Sequence, residues 1–154
     1  MVTAERTPVA GIPLDVVELR LKRRESAWTQ MVTTAHAIGA VAEPEVVLAA
    51  LAHRERWGST ALGKGCALAG IRSFGVRRAH LVLGRSERGV DWGAGDDGLV
   101  HLVVLALAPH SLADSAYLDE LARLAQALRL QKVRAKLADA DPATALALLE
   151  GRPV

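Results

Sequence analysis

Two glycine-rich stretches contain the residue types that hold phosphate groups in nucleotide-binding proteins. Residues 58–65 read Gly-Ser-Thr-Ala-Leu-Gly-Lys-Gly, close to the pattern G-x-x-x-x-G-K-[ST], whose backbone N–H groups and lysine cradle phosphates. Gly65 stands where that pattern needs a magnesium-binding hydroxyl. The apolar spacing also places a helix before this loop and a strand after it, the reverse of the order in a phosphate-binding loop. We therefore predict no nucleotide site here.

The second stretch, residues 93–98, reads Gly-Ala-Gly-Asp-Asp-Gly and matches the dinucleotide-binding pattern G-x-G-x-x-G. That pattern binds a pyrophosphate only where it leads into a helix N-terminus. Here it leads into the apolar run over residues 99–108, which predicts a strand. Residues 96–98, Asp-Asp-Gly, are typical of a tight turn, so this stretch is interpreted as a hairpin connection. No cofactor is predicted.

The spacing of the histidine, cysteine and arginine residues predicts neither a metal site nor a reactive site. The histidines lack the spacing of metal ligands, and Cys66 lies in an apolar segment where it predicts a buried packing residue. Two basic clusters lack interleaved aromatics, so they predict a solvated face, with a docking surface for an acidic protein as the alternative and no nucleic-acid partner. The histidines are His36, His53, His80, His101 and His110, and the clusters are Arg20, Lys22, Arg23 and Arg24, and Arg72, Arg77, Arg78, Arg85 and Arg88.

Length and composition predict one compact domain in a reducing compartment. The chain has 154 residues, 51% of them hydrophobic, a net charge of +2 and one cysteine, so no intrachain disulfide can form and a cytoplasmic location is expected. The longest apolar run, residues 99–109, is about half the roughly 20 residues that a spanning helix needs, so no membrane insertion is predicted. Residues 1–13 lack the apolar stretch of a signal peptide and are predicted to be a flexible lead.

The elements that would position any site follow from apolar periodicity. Alternation over residues 17–21 predicts a strand, and apolar residues at helical spacing over 27–38 predict a helix that ends at Gly39. Pro44 predicts the start of a second helix, and Asp141-Pro142 the start of a last one. Further strands are predicted over 66–68, 80–83 and 99–108, and further helical segments over 118–128 and 130–137. This order of strands and helices indicates a single-domain α/β sandwich with a mixed sheet.

The chain also resembles a known family. Residues 54–70 read R-E-R-W-G-S-T-A-L-G-K-G-C-A-L-A-G, which is similar to the R-E-x-x-G-S-T-G-I-G-x-G-I-A-I-P-H segment of enzyme IIA domains of the fructose, mannitol and nitrogen-regulatory branch of the bacterial sugar phosphotransferase system (PTS). Residues 79–92, 97–109 and 116–125 resemble later segments in the same order. The resemblance covers roughly residues 14–150 and implies a mixed sheet of about five strands flanked by helices on both faces.

The resemblance also assigns roles to particular positions. In the family a histidine accepts a phosphoryl group from the small carrier protein HPr, because a neutral imidazole is nucleophilic near neutral pH. Arg54 matches the family's active-site arginine, and Ser59 and Thr60 match its hydroxyl pair. The acceptor position is Gly70 and the second active-site histidine is Tyr117, whose phenol, with a pKa of about 10, is a poor substitute. Both imidazoles are therefore missing.

The resulting hypothesis is a phosphorylation-incompetent regulatory module, without catalytic activity, that binds a protein partner through the face around these five residues. The partner would be an HPr-like carrier, or a regulated kinase or transporter. One alternative is an active carrier that uses another acceptor. Cys66 would lie about 13 Å from Gly70 along the strand, and His80 begins a neighbouring strand. A second alternative is a small-ligand sensor, which requires an open concave site beside Gly70.

Overall fold

The computed structural model describes residues 12–93 and 98–152. Within these residues ten elements follow one another, and every strand among them belongs to one mixed sheet in the order β1-β4-β5-β3-β2. Strand β1 is parallel to β4, and β3 is parallel to β5, whereas β4 with β5 and β2 with β3 are antiparallel. The elements are β1 (Leu14–Glu18), α1 (Arg24–Ala37), α2 (Pro44–Arg56), β2 (Ala61–Gly63), β3 (Cys66–Ser73), β4 (His80–Asp91), β5 (Leu99–Pro109), α3 (Asp114–Leu128), α4 (Gln131–Leu137) and α5 (Pro142–Glu150).

Helices cover both faces of this sheet, as predicted. Helices α1 and α2 pack on one face through side chains such as Trp28, Met31 and Leu51, which are buried together with the residues of β3–β5 that point the same way. Helices α3, α4 and α5 cover the other face through residues such as Leu124 and Leu149. Strand β5 lies in the middle of the sheet and is buried on both sides, which explains its continuous apolar sequence. The α/β sandwich prediction is confirmed.

Helix boundaries follow the signals in the sequence closely. Helix α1 ends just before Gly39, whose φ of 84° lies in the left-handed region that favours glycine. Helix α2 begins at Pro44. Proline lacks a backbone N–H, and this costs nothing in the first turn because the N–H groups there have no partner within the helix. Helix α5 begins after Asp141, whose carboxylate accepts a hydrogen bond from the Thr144 N–H at 2.9 Å.

Strand boundaries were predicted less well. Strand β1 lies three residues earlier than the predicted 17–21, and Leu21 is exposed beyond its end. Strands β3 and β4 extend well past the predicted 66–68 and 80–83, and the short strand β2 was not predicted. The hairpin prediction for 93–98 fits the antiparallel pairing of Asp91 with Leu99, although residues 94–97 lie outside the described part. The lead predicted over residues 1–13 likewise falls almost entirely outside it.

Candidate functional site

The end of helix α2 presents Arg54 to solvent. Arg54 lies in the last turn of the helix, and its Nη1 donates a hydrogen bond to the Gly58 carbonyl at 2.8 Å. A cation at this end interacts favourably with the helix dipole, so the side chain is held near the helix terminus while the rest of the guanidinium is exposed. Trp57, which is 79% exposed, follows immediately, and its ring meets the edge of His53. An arginine and an exposed indole therefore stand together at this corner.

The two hydroxyls that follow have different environments. Ser59 is exposed, and its Oγ accepts a hydrogen bond from the Ala61 N–H at 3.1 Å. Thr60 is only 3% exposed. Its Oγ1 donates to Glu55 Oε1 at 2.7 Å and accepts from Trp92 Nε1 at 2.9 Å. The Thr60 hydroxyl therefore links the loop to the core, and it already donates one hydrogen bond and accepts another.

Gly70 lies on the face of β3 that points toward α3. Alternate residues of a strand point to opposite faces, and this face also carries Cys66 and Leu68. A Cβ atom at Gly70 would stand 2.5 Å from Leu121 Cδ2 and 2.9 Å from Tyr117 Oη. The space that an acceptor side chain would occupy is therefore filled by two side chains of α3. The ligand-sensor alternative required an open site beside Gly70, and this filling contradicts it.

Tyr117 lies beside Arg72. The Arg72 guanidinium stands 5.2 Å from the centre of the Tyr117 ring, and it is held there by the Leu112 carbonyl at 3.0 Å and by an ion pair with Asp114. Burial raises the pKa of the Tyr117 phenol, and the positive charges of Arg72 and Arg54 lower that pKa by a smaller amount. The phenol is therefore neutral at physiological pH and is not a competent nucleophile.

The two residues considered as replacement acceptors are both buried. Cys66 lies inside the core, and burial raises the pKa of its thiol, although the Arg134 charge opposes this shift. His80 is 3% exposed, and its Nε2 lies 2.7 Å from Asp15 Oδ2. Burial lowers the pKa of His80 despite this carboxylate. Neither side chain is open to a phosphoryl donor on the protein surface.

The structure thus brings together part of the predicted site. Tyr117 covers Gly70, and the Arg54 charge lowers the pKa of the Tyr117 phenol by a small amount. Thr60 instead faces the core. Sequence reasoning missed Arg72, which had been placed in a solvated basic cluster. The signal was available, because a residue two positions after Gly70 on a strand must share its face.

Arg72, beside Tyr117, and Arg54, at the end of α2, are cations that can bind an anion. Within residues 12–93 and 98–152, no three His, Cys, Asp or Glu side chains are placed to hold a metal ion. In that same part of the chain, no helix has the length and apolar character required to cross a membrane.

Comparison with known proteins agrees with this fold. The family described as "Phosphoenolpyruvate-dependent sugar phosphotransferase system, EIIA 2" matches residues 13–151. The chain belongs to this family. The fructose-specific EIIABC component of Bacillus subtilis is 28% identical to this EIIA type 2 chain over 130 residues, which are 84% of the chain and 20% of that protein. The chain therefore spans about one fifth of that relative's length.

Two further proteins are similar to this EIIA type 2 chain. The nitrogen regulatory protein of Bradyrhizobium diazoefficiens is 34% identical over 100 residues, which are 65% of each protein. The crystal structure of nitrogen regulatory protein IIA-Ntr from Neisseria meningitidis superimposes with a TM-score of 0.72 at 24% identity, over 92% of this chain and 94% of that one. The predicted family is confirmed.

Proposed function

We propose that this EIIA type 2 protein is a phosphorylation-incompetent regulatory module that binds another protein through the face around Gly70. The observation that carries the proposal is the filling of the acceptor space by Tyr117 and Leu121. Loss of an acceptor alone would leave a gap, whereas this site is repacked into a closed surface. Because no phosphoryl group can add charge here, the surface has one electrostatic state.

The face retains features that suit a protein partner. Arg54 keeps most of its donors free, Trp57 is exposed, and Leu118 on the first turns of α3 is exposed beside Tyr117. Aromatic and arginine side chains are the residue types that dominate binding energy at protein interfaces. The family passes phosphoryl groups between proteins, which supports an HPr-like carrier, or a kinase or transporter regulated by such carriers, as the partner.

The first experiment measures intact mass before and after incubation with enzyme I, HPr and phosphoenolpyruvate. An authentic enzyme IIA serves as the positive control. We expect no mass increase in this chain while the control gains one phosphoryl group. A gain on this chain would overturn the proposal and would favour the alternative of an active carrier, whose acceptor could then be located by peptide mapping.

The second experiment measures binding of HPr through the fluorescence of Trp57. Trp28 and Trp92 are buried, so a change on titration reports mainly on the exposed indole. We expect Arg54→Ala to weaken binding by roughly tenfold, as loss of a central interface arginine commonly does. The matched control is Arg88→Ala, an equal charge change at an exposed position of β4. Equal effects of the two substitutions would show that the proposed face is wrong.

A further inference from the structure

A concave surface lies between helices α3, α4 and α5, near the end of α3 that is far from Tyr117. It encloses a cavity of about 640 Å³, within the range of roughly 300–1,000 Å³ that is typical of small-molecule sites. Its floor is apolar and includes Val133 and Leu148, which are 8% and 7% exposed. Leu130, which is 51% exposed, also lines it. We refer to this surface as the α4 groove.

The rim of the α4 groove is positively charged. Arg123, Lys132, Lys136 and Arg152 line it, and no lining residue is acidic. Arg152 pairs with Glu150 at 2.7 Å and Arg123 with Glu120 at 3.7 Å. Lys132 and Lys136 make no ion pair with any residue in the described part of the chain.

The sequence around the groove has the same bias. Residues 121–138 contain five basic residues and no acidic residue. Lys132 and Lys136 are separated by four positions on α4, a spacing that places two side chains on the same helix face. Two unpaired ammonium groups therefore stand side by side at the edge of an apolar floor.

We propose that the α4 groove binds a single-chain amphiphilic carboxylate, with its apolar chain on the Leu130 side of the floor and its carboxylate between Lys132 and Lys136. Charge complementarity selects an anionic head group, and the apolar floor selects a hydrocarbon body. The occupant is a small molecule, because a cavity of about 640 Å³ has the size of a small-molecule site. This site is separate from the face around Gly70, so either proposal can fail without the other.

The test is a titration of the full chain with decanoate, followed through backbone amide chemical shifts. We expect saturable shifts confined to residues 123–136 and 148–152. Two controls separate the parts of the ligand: decanol has the chain without the charge, and acetate has the charge without the chain. Both should bind at least about tenfold more weakly than decanoate. Higher salt should also weaken decanoate binding.

Substitutions separate the groove from general basic character. We expect Lys132→Glu combined with Lys136→Glu to weaken decanoate binding by about tenfold or more, since each replacement turns attraction into repulsion. Arg20→Glu combined with Lys22→Glu makes the same total charge change at exposed positions outside the groove and should change affinity less than about twofold. Leu130→Ser tests the floor, and serine is compatible with the helix-capping position that Leu130 occupies.

Several results would overturn the proposal. Equal affinity for decanol and decanoate would remove the role of the lysines. Shifts centred on Tyr117 would place the ligand at the other site. Binding to vesicles of anionic phospholipid without any saturable decanoate binding would show a membrane-facing patch instead. If the double lysine variant does not fold, the salt dependence and the decanol comparison on the unaltered chain decide the matter.

Discussion

Replacement of Gly70 by alanine directly tests the repacked acceptor site. The new Cβ atom would lie 2.5 Å from Leu121 Cδ2, about 1 Å inside the 3.4 Å at which ordinary contact begins. Overpacking of this kind costs about 1–3 kcal/mol. We take about 2 kcal/mol, because the contacted atoms are the ends of side chains that can rotate. Alanine gains about 0.5–1 kcal/mol over glycine through a less flexible unfolded chain.

The balance predicts that Gly70→Ala lowers the free energy of unfolding by about 1 kcal/mol, or the melting temperature by about 2–4 °C for a chain of this size. Urea denaturation followed by circular dichroism measures it. A variant that is as stable as the original chain, or more stable, would refute the steric argument, because open space at Gly70 would leave only the favourable backbone effect.

A double-mutant cycle identifies the side chain responsible. In a Leu121→Ala background the cost of Gly70→Ala should fall below about 0.5 kcal/mol, giving a coupling of the size that contacting residues show. Additive effects of the two substitutions would mean that Leu121 does not fill the space beside Gly70.

The same crowding governs attempts to restore phosphoryl acceptance. Gly70→His alone must displace both Tyr117 and Leu121, so we expect incomplete acceptance and a less stable chain. Adding Tyr117→His should increase acceptance, because it removes the covering phenol and supplies the second imidazole that the family uses. Intact mass with enzyme I, HPr and phosphoenolpyruvate measures both variants. Full acceptance by Gly70→His alone would show that only the nucleophile was missing.

Two further predictions concern the buried polar residues around the site. Thr60→Val should lower the free energy of unfolding by about 1–3 kcal/mol in urea denaturation, because it removes the hydroxyl that Glu55 and Trp92 share. Thr60→Ser keeps the hydroxyl and should lower this free energy by less. Equal losses in the two variants would contradict this role of the hydroxyl. Burial lowers the pKa of His80, so the unfolded chain binds the proton more readily and stability should fall as the pH drops below about 6.5. His80→Gln can still bond Asp15 without titrating, and an unchanged pH dependence in this variant would refute the assignment.

The sequence was most informative where a local signal defines an element. Pro44, Gly39 and Asp141 each act within one turn of a helix, so the helix ends could be predicted without knowing the tertiary structure. Strand lengths depend on partners far along the chain. Strand β3 continues through Gly70 and Arg72, residue types that rarely signal a strand, because β5 pairs with it over its whole length.

The candidate site was predicted only in part, because its side-chain packing also depends on partners far along the chain. Matching of residues identified Arg54, Gly70 and Tyr117 as parts of one site, and the structure places Tyr117 over Gly70. That Tyr117 and Leu121 fill the acceptor space could not be predicted, because it depends on how α3 is rotated and seated on β3. The burial of Thr60 depends in turn on Trp92, which is 32 positions away along the chain. The role of this face in binding a partner stays a prediction.

The packing of Leu121 and Tyr117 over Gly70 also constrains how this protein can evolve. A return to phosphoryl transfer needs a histidine at position 70, and the side chains at 117 and 121 must make way for it. Under the proposed function, a lineage that changes these positions one at a time passes through chains that are less stable and gain no phosphoryl transfer, so natural selection opposes the intermediate steps. Exposed positions such as Trp57 and Leu118 can vary without that penalty. If the proposed function holds, new partners are accessible by single substitutions, whereas phosphoryl transfer at position 70 requires several changes together.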